Sequence, residues 1–226
     1  MAKAKMALLA VGVAVLVVSS GLALLFFGNL GSREPVGLIR VACVGDSITE
    51  NGYPSELQVM LGAEYYVGDF GASGSTVSLS TKKPYMNEVA RLESKNFQPT
   101  IVIIMLGTND AQADAESFGN FSEDYTQLVG EYLSLRSEPV IWLVKPPPIF
   151  ENHFNLSETS LEQGVIPQIE QVARELNLST IDVNSIMAGY PEYFMDGVHP
   201  SSEGKAVIAN EIIQAITSSG VSATPF

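Results

Sequence analysis

Cysteine, histidine and basic residues are all scarce in this chain of 226 residues. Its single cysteine, Cys43, excludes an intrachain disulfide and a zinc site built from paired cysteines. The sequence also lacks the H-E-x-x-H metalloprotease pattern, a phosphate-binding loop and the G-x-S-x-G nucleophile elbow. Asp110 and Asp114 do not by themselves indicate a metal site, so we predict no metal ion and no cofactor.

Basic residues number 12 against 25 acidic residues, and the net charge is −13. Lys3 and Lys5 precede an apolar segment, so the rest of the chain carries 10 basic and 25 acidic residues and a net charge of −15. A surface of this sign repels nucleic acid and anionic lipid head groups. We therefore expect no nucleic-acid partner, and we interpret the charge as a source of solubility for an exported domain.

Charged residues are absent from residues 6–32. The apolar part of this segment is about 20 residues long, which matches the hydrocarbon thickness of a bilayer. We predict a membrane anchor or signal segment over residues 1–32, a linker over 33–37 and one globular domain over 38–226. Lys3 and Lys5 would hold the N-terminus of a transmembrane helix in the cytoplasm, so the domain would face outward. The alternative is secretion after signal cleavage near Val18-Ser19-Ser20.

Short apolar runs rich in β-branched residues alternate along the chain with segments of helical periodicity. The apolar runs are typical of buried parallel strands, and they occupy residues 38–44, 65–67, 100–106, 140–144 and 180–183. The helical segments occupy residues 55–61, 85–95, 121–135, 160–176 and 201–217. This alternation predicts an α/β fold, in which a doubly wound sheet of five parallel strands carries helices on both faces.

Polar residues follow the predicted strands, where a doubly wound sheet forms its crevice. Ser47 comes directly after the first strand, and Asp196 precedes His199 by three residues near the end of the chain. Ester hydrolysis by a serine requires a hydroxyl nucleophile, an imidazole base and a carboxylate that orients the imidazole. Taken alone, Ser47 and His199 are better explained as turn and loop residues, and Asp196 could merely cap a turn. Their joint placement makes Ser47, His199 and Asp196 the candidate catalytic residues.

The remaining candidates would stabilise an oxyanion or contact a substrate. The backbone N–H groups of Ser47 and Gly71 and the side-chain amide of Asn109 are predicted to form an oxyanion hole. Gly71 would permit a close approach of the backbone to a ligand. Further candidates for substrate binding also follow strand ends, namely Asp46, Lys145 and Pro146.

Four ordered blocks of the sequence resemble the SGNH, or GDSL-type, esterase superfamily. They are Gly45-Asp46-Ser47, the glycine of Asp69-Phe70-Gly71, Gly107-Thr108-Asn109-Asp110, and Asp196-Gly197-Val198-His199. The resemblance covers roughly residues 38–218 and implies a three-layer, flavodoxin-like hydrolase fold. It also implies the same nucleophile, base, acid and oxyanion residues as the chemistry of ester hydrolysis does. Asp69 departs from the pattern, because the superfamily often carries asparagine there.

The first and last blocks are most similar to the carbohydrate-esterase and arylesterase branch of that superfamily. This resemblance implies an enzyme that hydrolyses small acyl esters, chiefly O-acetyl groups on extracellular carbohydrate, through an acyl-enzyme. A lysophospholipase or thioesterase and an O-acyltransferase are alternatives on the same fold. A cell-surface glycan-binding module without turnover is the alternative from another class, and the presence of a complete set of catalytic candidates argues against it.

Overall fold

The computed structural model describes residues 37–113 and 119–220. The predicted anchor or signal segment, residues 1–32, lies outside these residues, as does the linker up to residue 36. Membrane anchoring and an outward-facing location therefore stay predictions. Within the described residues, no helix combines the length and apolar character needed to cross a bilayer.

A parallel sheet of five strands forms the centre of the described structure, which confirms the predicted α/β architecture. Its strands are β1 (Ile39–Gly45), β2 (Tyr65–Gly71), β3 (Ile101–Met105), β4 (Val140–Lys145) and β5 (Ser179–Asp182). They lie in the order β2-β1-β3-β4-β5, and each neighbouring pair is parallel. The chain moves to one side of β1 to form β2 and to the other side to form β3. A crevice opens at such a reversal, at the carboxyl ends of the strands.

Helices cover both faces of this sheet. They are α1 (Pro54–Leu61), α2 (Val89–Asn96), α3 (Phe121–Leu133), α4 (Ile166–Glu175), α5 (Val183–Met187) and α6 (Ser202–Ser218). One α-helical turn, Glu158–Ser160, and a π-helical segment, Leu161–Val165, lead directly into α4. The sequence did not predict α5, because five residues are too few to show a helical period.

Strand residues alternate between two apolar cores, one on each face of the sheet. In β1, Val41 and Cys43 belong to the core that includes residues of α1, α5 and α6, whereas Ala42 and Val44 belong to the core that includes residues of α3 and α4. Successive side chains of a strand point to opposite faces, so a strand that is apolar throughout must be covered on both sides. Cys43 is a buried thiol, and burial raises its pKa, as expected for a core residue.

Candidate active site

Ser47 lies in a tight turn that begins where β1 ends. The carbonyl of Asp46 accepts the N–H groups of Thr49 at 3.2 Å and Glu50 at 2.9 Å. The Asp46 carboxylate also accepts the N–H of Ile48 at 2.9 Å. Among the residues that the structure describes, no acceptor bonds the N–H of Ser47. The turn is therefore held by the neighbours of Ser47, and the N–H of Ser47 itself can serve a ligand.

Asp196 and His199 lie in a short loop just before α6. Asp196 Oδ1 accepts the N–H groups of Val198 at 3.1 Å and His199 at 2.8 Å, which closes the loop on its own backbone. Gly197 has a φ of +82°, and a Cβ at this position would lie 2.1 Å from the carbonyl oxygen of Glu151. The loop therefore requires glycine between the acid and the histidine.

A continuous hydrogen-bonded chain connects these two turns. Ser47 Oγ lies 2.9 Å from His199 Nε2, and His199 Nδ1 lies 2.8 Å from Asp196 Oδ2. Burial opposes the ionisation of Asp196, but hydrogen bonds from the backbone and ring of His199 and from Val198 outweigh it and lower the pKa of Asp196. An ionised carboxylate holds the imidazole proton on Nδ1, so Nε2 is left to accept a proton from the serine.

Asn109 lies on the 3-10 turn Thr108–Asp110, which follows β3. Its Nδ2 donates to the carbonyl of Ser75 at 3.0 Å and to Asp46 Oδ2 at 3.3 Å. These two acceptors fix the orientation of the amide, because its oxygen in their place would face two other oxygens. Asp46 is 1 % exposed, and burial raises its pKa to about 6. In the structure this carboxylate is enclosed and orients Asn109 and the Ser47 turn, and its predicted contact with substrate stays a prediction.

A pocket of about 220 Å³ adjoins the serine and the imidazole. Its polar side carries Ser47, His199 and Asn109, and its apolar side carries Phe154, Leu156 and Val198. The ring of Phe154 meets the ring of His199 edge to face, with centroids 5.4 Å apart. The pocket therefore brings the serine hydroxyl and the imidazole next to an apolar lining.

A protein-family model described as the GDSL-like lipase/acylhydrolase family matches residues 43–207. The match begins within β1 and continues into α6, so it contains both turns of the site. The chain belongs to the GDSL-like lipase/acylhydrolase family. Membership confirms the predicted superfamily.

Relatives of this GDSL-type chain include carbohydrate and aryl esterases. An acetylxylan esterase of Xylanibacter ruminicola is 32% identical over 206 residues, which are 79% of this chain and 43% of that protein. The chain thus spans less than half the length of this relative. The aryl esterase of M. smegmatis superposes with a TM-score of 0.63 at 20% identity over 79% of this chain and 98% of that one. The acetyl xylan esterase AlAXEase gives a TM-score of 0.63 at 21% identity over 79% and 100% of the two chains.

The two glycines after β2 have different positions in the GDSL-type fold. Gly71 ends β2 in register with Gly45, and its N–H donates to Asp69 Oδ1 at 3.0 Å. A Cβ on Gly71 would lie 2.1 Å from the backbone nitrogen of Glu50. Gly74 lines the pocket instead, and no acceptor within the described residues bonds its N–H. The structure therefore brings Gly74 and not Gly71 to the pocket, and an oxyanion role for Gly71 stays a prediction.

Lys145 and Pro146 do not line the pocket that contains Ser47 and His199. Lys145 Nζ bonds Glu170 Oε1 at 2.9 Å and Asp182 Oδ2 at 2.7 Å. Pro146 is buried, and its carbonyl accepts the side-chain amide of Asn184 at 3.1 Å. Both belong to the packing and ion pairs at the ends of β4 and β5, so the structure does not bring them to this pocket, and their contacts with substrate stay predictions.

Sequence reasoning also missed the apolar wall of the pocket. Phe154 and Leu156 come from the loop between β4 and α4, and their approach to His199 depends on the folded path of that loop. The ring of His153 packs against the ring of Phe154 at a tilt of 33°, with centroids 4.1 Å apart, and His153 is not among the residues that line the pocket. Among residues 37–113 and 119–220, no group of three acidic, histidine or cysteine side chains could hold a metal ion.

Proposed function

We propose that this chain is a serine esterase in which Ser47 is the nucleophile, His199 the general base and Asp196 its orienting acid. The observation that carries the proposal is the unbroken hydrogen-bonded chain from Ser47 Oγ through the imidazole to the Asp196 carboxylate, at 2.9 and 2.8 Å. Distances in this range allow direct proton transfer from the hydroxyl to the imidazole.

Attack of Ser47 Oγ on the ester carbonyl forms a tetrahedral intermediate while His199 takes the serine proton. The N–H groups of Ser47 and Gly74 would stabilise the oxyanion, since both residues line the pocket. The amide of Asn109, which also lines the pocket, would join them by turning one N–H away from Asp46 Oδ2, the longer of its two hydrogen bonds at 3.3 Å. His199 then protonates the leaving alkoxide, and the ester bond breaks to give an acyl-enzyme. A water molecule, deprotonated by the same imidazole, hydrolyses the acyl-enzyme and restores the serine.

The acyl group that fits this site is small, and we infer acetyl. The pocket of about 220 Å³ is smaller than the roughly 300–1,000 Å³ that holds a drug-sized ligand. Phe154 closes its apolar side against His199. The similarity to acetylxylan esterases supports an acetylated carbohydrate as the alcohol component. The excess of acidic residues favours a neutral glycan over a polyanionic one.

The test compares the purified full-length protein with Ser47→Ala and His199→Ala. Exposed Ser134, at the end of α3, gives the matched control Ser134→Ala. We expect hydrolysis of p-nitrophenyl acetate and release of acetate from acetylated xylan by the wild type and the control, and a loss of about 10³-fold or more in the two site variants. Full activity in Ser47→Ala, or none in the folded wild type, would refute the proposal.

The assay also separates the alternatives. A turnover rate that rises from acetyl to long-chain esters, with cleavage of lysophospholipid, would replace the deacetylase by a lysophospholipase or thioesterase. Transfer of the acetyl group to an added sugar in preference to water would identify an acyltransferase. Binding of xylan without turnover would favour a glycan-binding module.

A further inference from the structure

The pocket-lining glycine lies in a four-residue turn, Ala72 to Ser75. The N–H of Ser75 donates to the carbonyl of Ala72 at 3.0 Å, which closes the turn. Gly74, at its third position, has a φ of +74°, whereas Ser73 is not among the described residues with positive φ. This combination defines a type II turn, which favours glycine at the third position.

The peptide that joins Ser73 to Gly74 is the central peptide of this turn. The hydrogen bond that closes the turn uses neither the carbonyl nor the N–H of this peptide. A planar trans peptide points its carbonyl and its N–H in opposite directions. The carbonyl of Ser73 accepts a hydrogen bond from Lys83 Nζ at 2.6 Å. At the other end, no described residue accepts the N–H of Gly74, and Gly74 lines the pocket beside Ser47 and His199.

The orientation of this peptide decides whether the donor faces the pocket. Type I and type II turns differ mainly by a rotation of the central peptide, which exchanges the directions of its carbonyl and its N–H. Lys83 bonds the carbonyl that the type II form presents. The same cation also polarises the amide, since a charge-assisted bond at a carbonyl strengthens the N–H of that amide as a donor.

Further hydrogen bonds hold the backbone of both Ser73 and Lys83 in place. Glu50 Oε2 accepts the N–H of Ser73 at 3.0 Å, and the N–H of Glu50 donates to the carbonyl of Asp46 at 2.9 Å. The serine turn and the donor turn are thus tied together. On the other side, the N–H of Thr76 donates to the carbonyl of Lys83 at 3.0 Å, so the exposed lysine extends from a fixed backbone.

We propose that Lys83 is a positioning residue for ester hydrolysis, which holds the Ser73–Gly74 peptide with its N–H towards the oxyanion. The inference rests on the proposed function, since it requires an oxyanion in this pocket. Lys83 touches neither the substrate nor the reacting atoms. It acts through the peptide that does, so its effect belongs to the transition state and not to the binding of the ester.

The experiment uses Lys83→Met, which removes the charge at similar length, and Lys83→Arg, which keeps it. The neighbouring exposed Lys82, for which no hydrogen bond or ion pair is found within the described residues, provides the matched control Lys82→Met. Loss of a whole oxyanion donor lowers kcat by about 10²–10³-fold, so partial misorientation in Lys83→Met should lower it by about tenfold with KM changed less than about twofold. Lys83→Arg should recover most of that loss.

A tetrahedral inhibitor distinguishes positioning from a general structural role. An alkylboronic acid forms an anionic adduct with the serine, and its inhibition constant should rise in Lys83→Met by the same factor by which kcat/KM falls. The melting temperature should match that of Lys82→Met. Gly74→Ala combined with Lys83→Met should cost less than the two single changes together, because both act on one peptide.

Several results would overturn the inference. These are a kcat of Lys83→Met within about twofold of the wild type, an equal loss in Lys82→Met, unchanged boronate inhibition, and a loss of activity that follows a lowered melting temperature. An inactive wild type, or an active Ser47→Ala, would instead refute the proposed function.

Discussion

Replacement of Asp196 by asparagine tests how the carboxylate controls the imidazole. Asp196 uses its two oxygens differently, because Oδ1 accepts two backbone N–H groups and Oδ2 accepts the ring of His199. An asparagine must keep its oxygen towards the two N–H donors, since its NH₂ group would repel them. The NH₂ group then faces His199 Nδ1, which can bond to it only as an acceptor.

The inverted hydrogen bond moves the imidazole proton to Nε2, 2.9 Å from Ser47 Oγ. The base is then already protonated where it should accept the serine proton. The same change in a serine protease lowers kcat by about 10⁴-fold, and we expect about 10³–10⁴-fold here, which is about 4–5.5 kcal/mol of barrier. The measurement is kcat on p-nitrophenyl acetate near pH 7, beside Asp196→Ala.

Alanine provides the decisive comparison, because it removes the carboxylate without imposing the wrong tautomer. The side chain of Asp196 is 28% exposed, so water can enter and serve both the loop N–H groups and His199 Nδ1. We therefore expect Asp196→Ala to retain at least as much activity as the more conservative asparagine variant. An asparagine variant that is clearly more active than the alanine variant, with equal melting temperatures, would refute the tautomer argument.

Four further changes test other parts of the site. Gly74→Ala should lower kcat by about 10–100-fold. It should lower the free energy of unfolding by only about 1–2 kcal/mol, because an alanine at φ +74° strains an open turn. Gly71→Ala should instead lower the free energy of unfolding in urea by about 1–3 kcal/mol, because its Cβ would overlap the backbone of Glu50. Phe154→Ala should raise the ratio of kcat/KM for octanoate over acetate esters by about tenfold, since it opens the apolar wall. For Asp46, burial raises the pKa to about 6 from 3.8, so the folded state keeps a proton that the unfolded chain has released. The free energy of unfolding of the wild type should fall relative to Asp46→Asn by about 3 kcal/mol at most between about pH 4 and pH 7 in urea titrations.

Three of these outcomes have a clear opposite. A stable, fully active Gly74→Ala variant would remove Gly74 from the set of oxyanion donors. An unchanged preference for acetate in Phe154→Ala would show that this ring does not limit acyl length. Parallel stability curves for the wild type and Asp46→Asn would show that the carboxyl group keeps an ordinary pKa in the folded protein.

The local pattern of the sequence was sufficient to predict the fold and the loops that carry the candidate catalytic residues. Runs of β-branched residues predict buried strands because only a sheet covered on both faces can enclose a strand that is apolar on both sides. Burial holds for the three inner strands, whereas the edge strands β2 and β5 are largely half-buried or exposed. Ser47 and Asn109 follow such strands directly, so the rule that ligands bind at carboxyl ends places them at one crevice. The spacing of Asp196 and His199 is short enough for one turn to join them. These features depend on neighbours in sequence, which is why they could be predicted.

Only the tertiary structure decided the residues whose role depends on distant partners. Gly71 and Gly74 are equivalent as sequence, but pairing with Gly45 retains the first in the sheet, and the type II turn exposes the second to the pocket. Lys145 follows a strand end, as a pocket residue would, but in the structure it forms ion pairs with two acidic side chains. The bond from Lys83 to Ser73 likewise joins residues ten positions apart. Such contacts arise from the packing of loops against one another, and no periodicity along the chain encodes them.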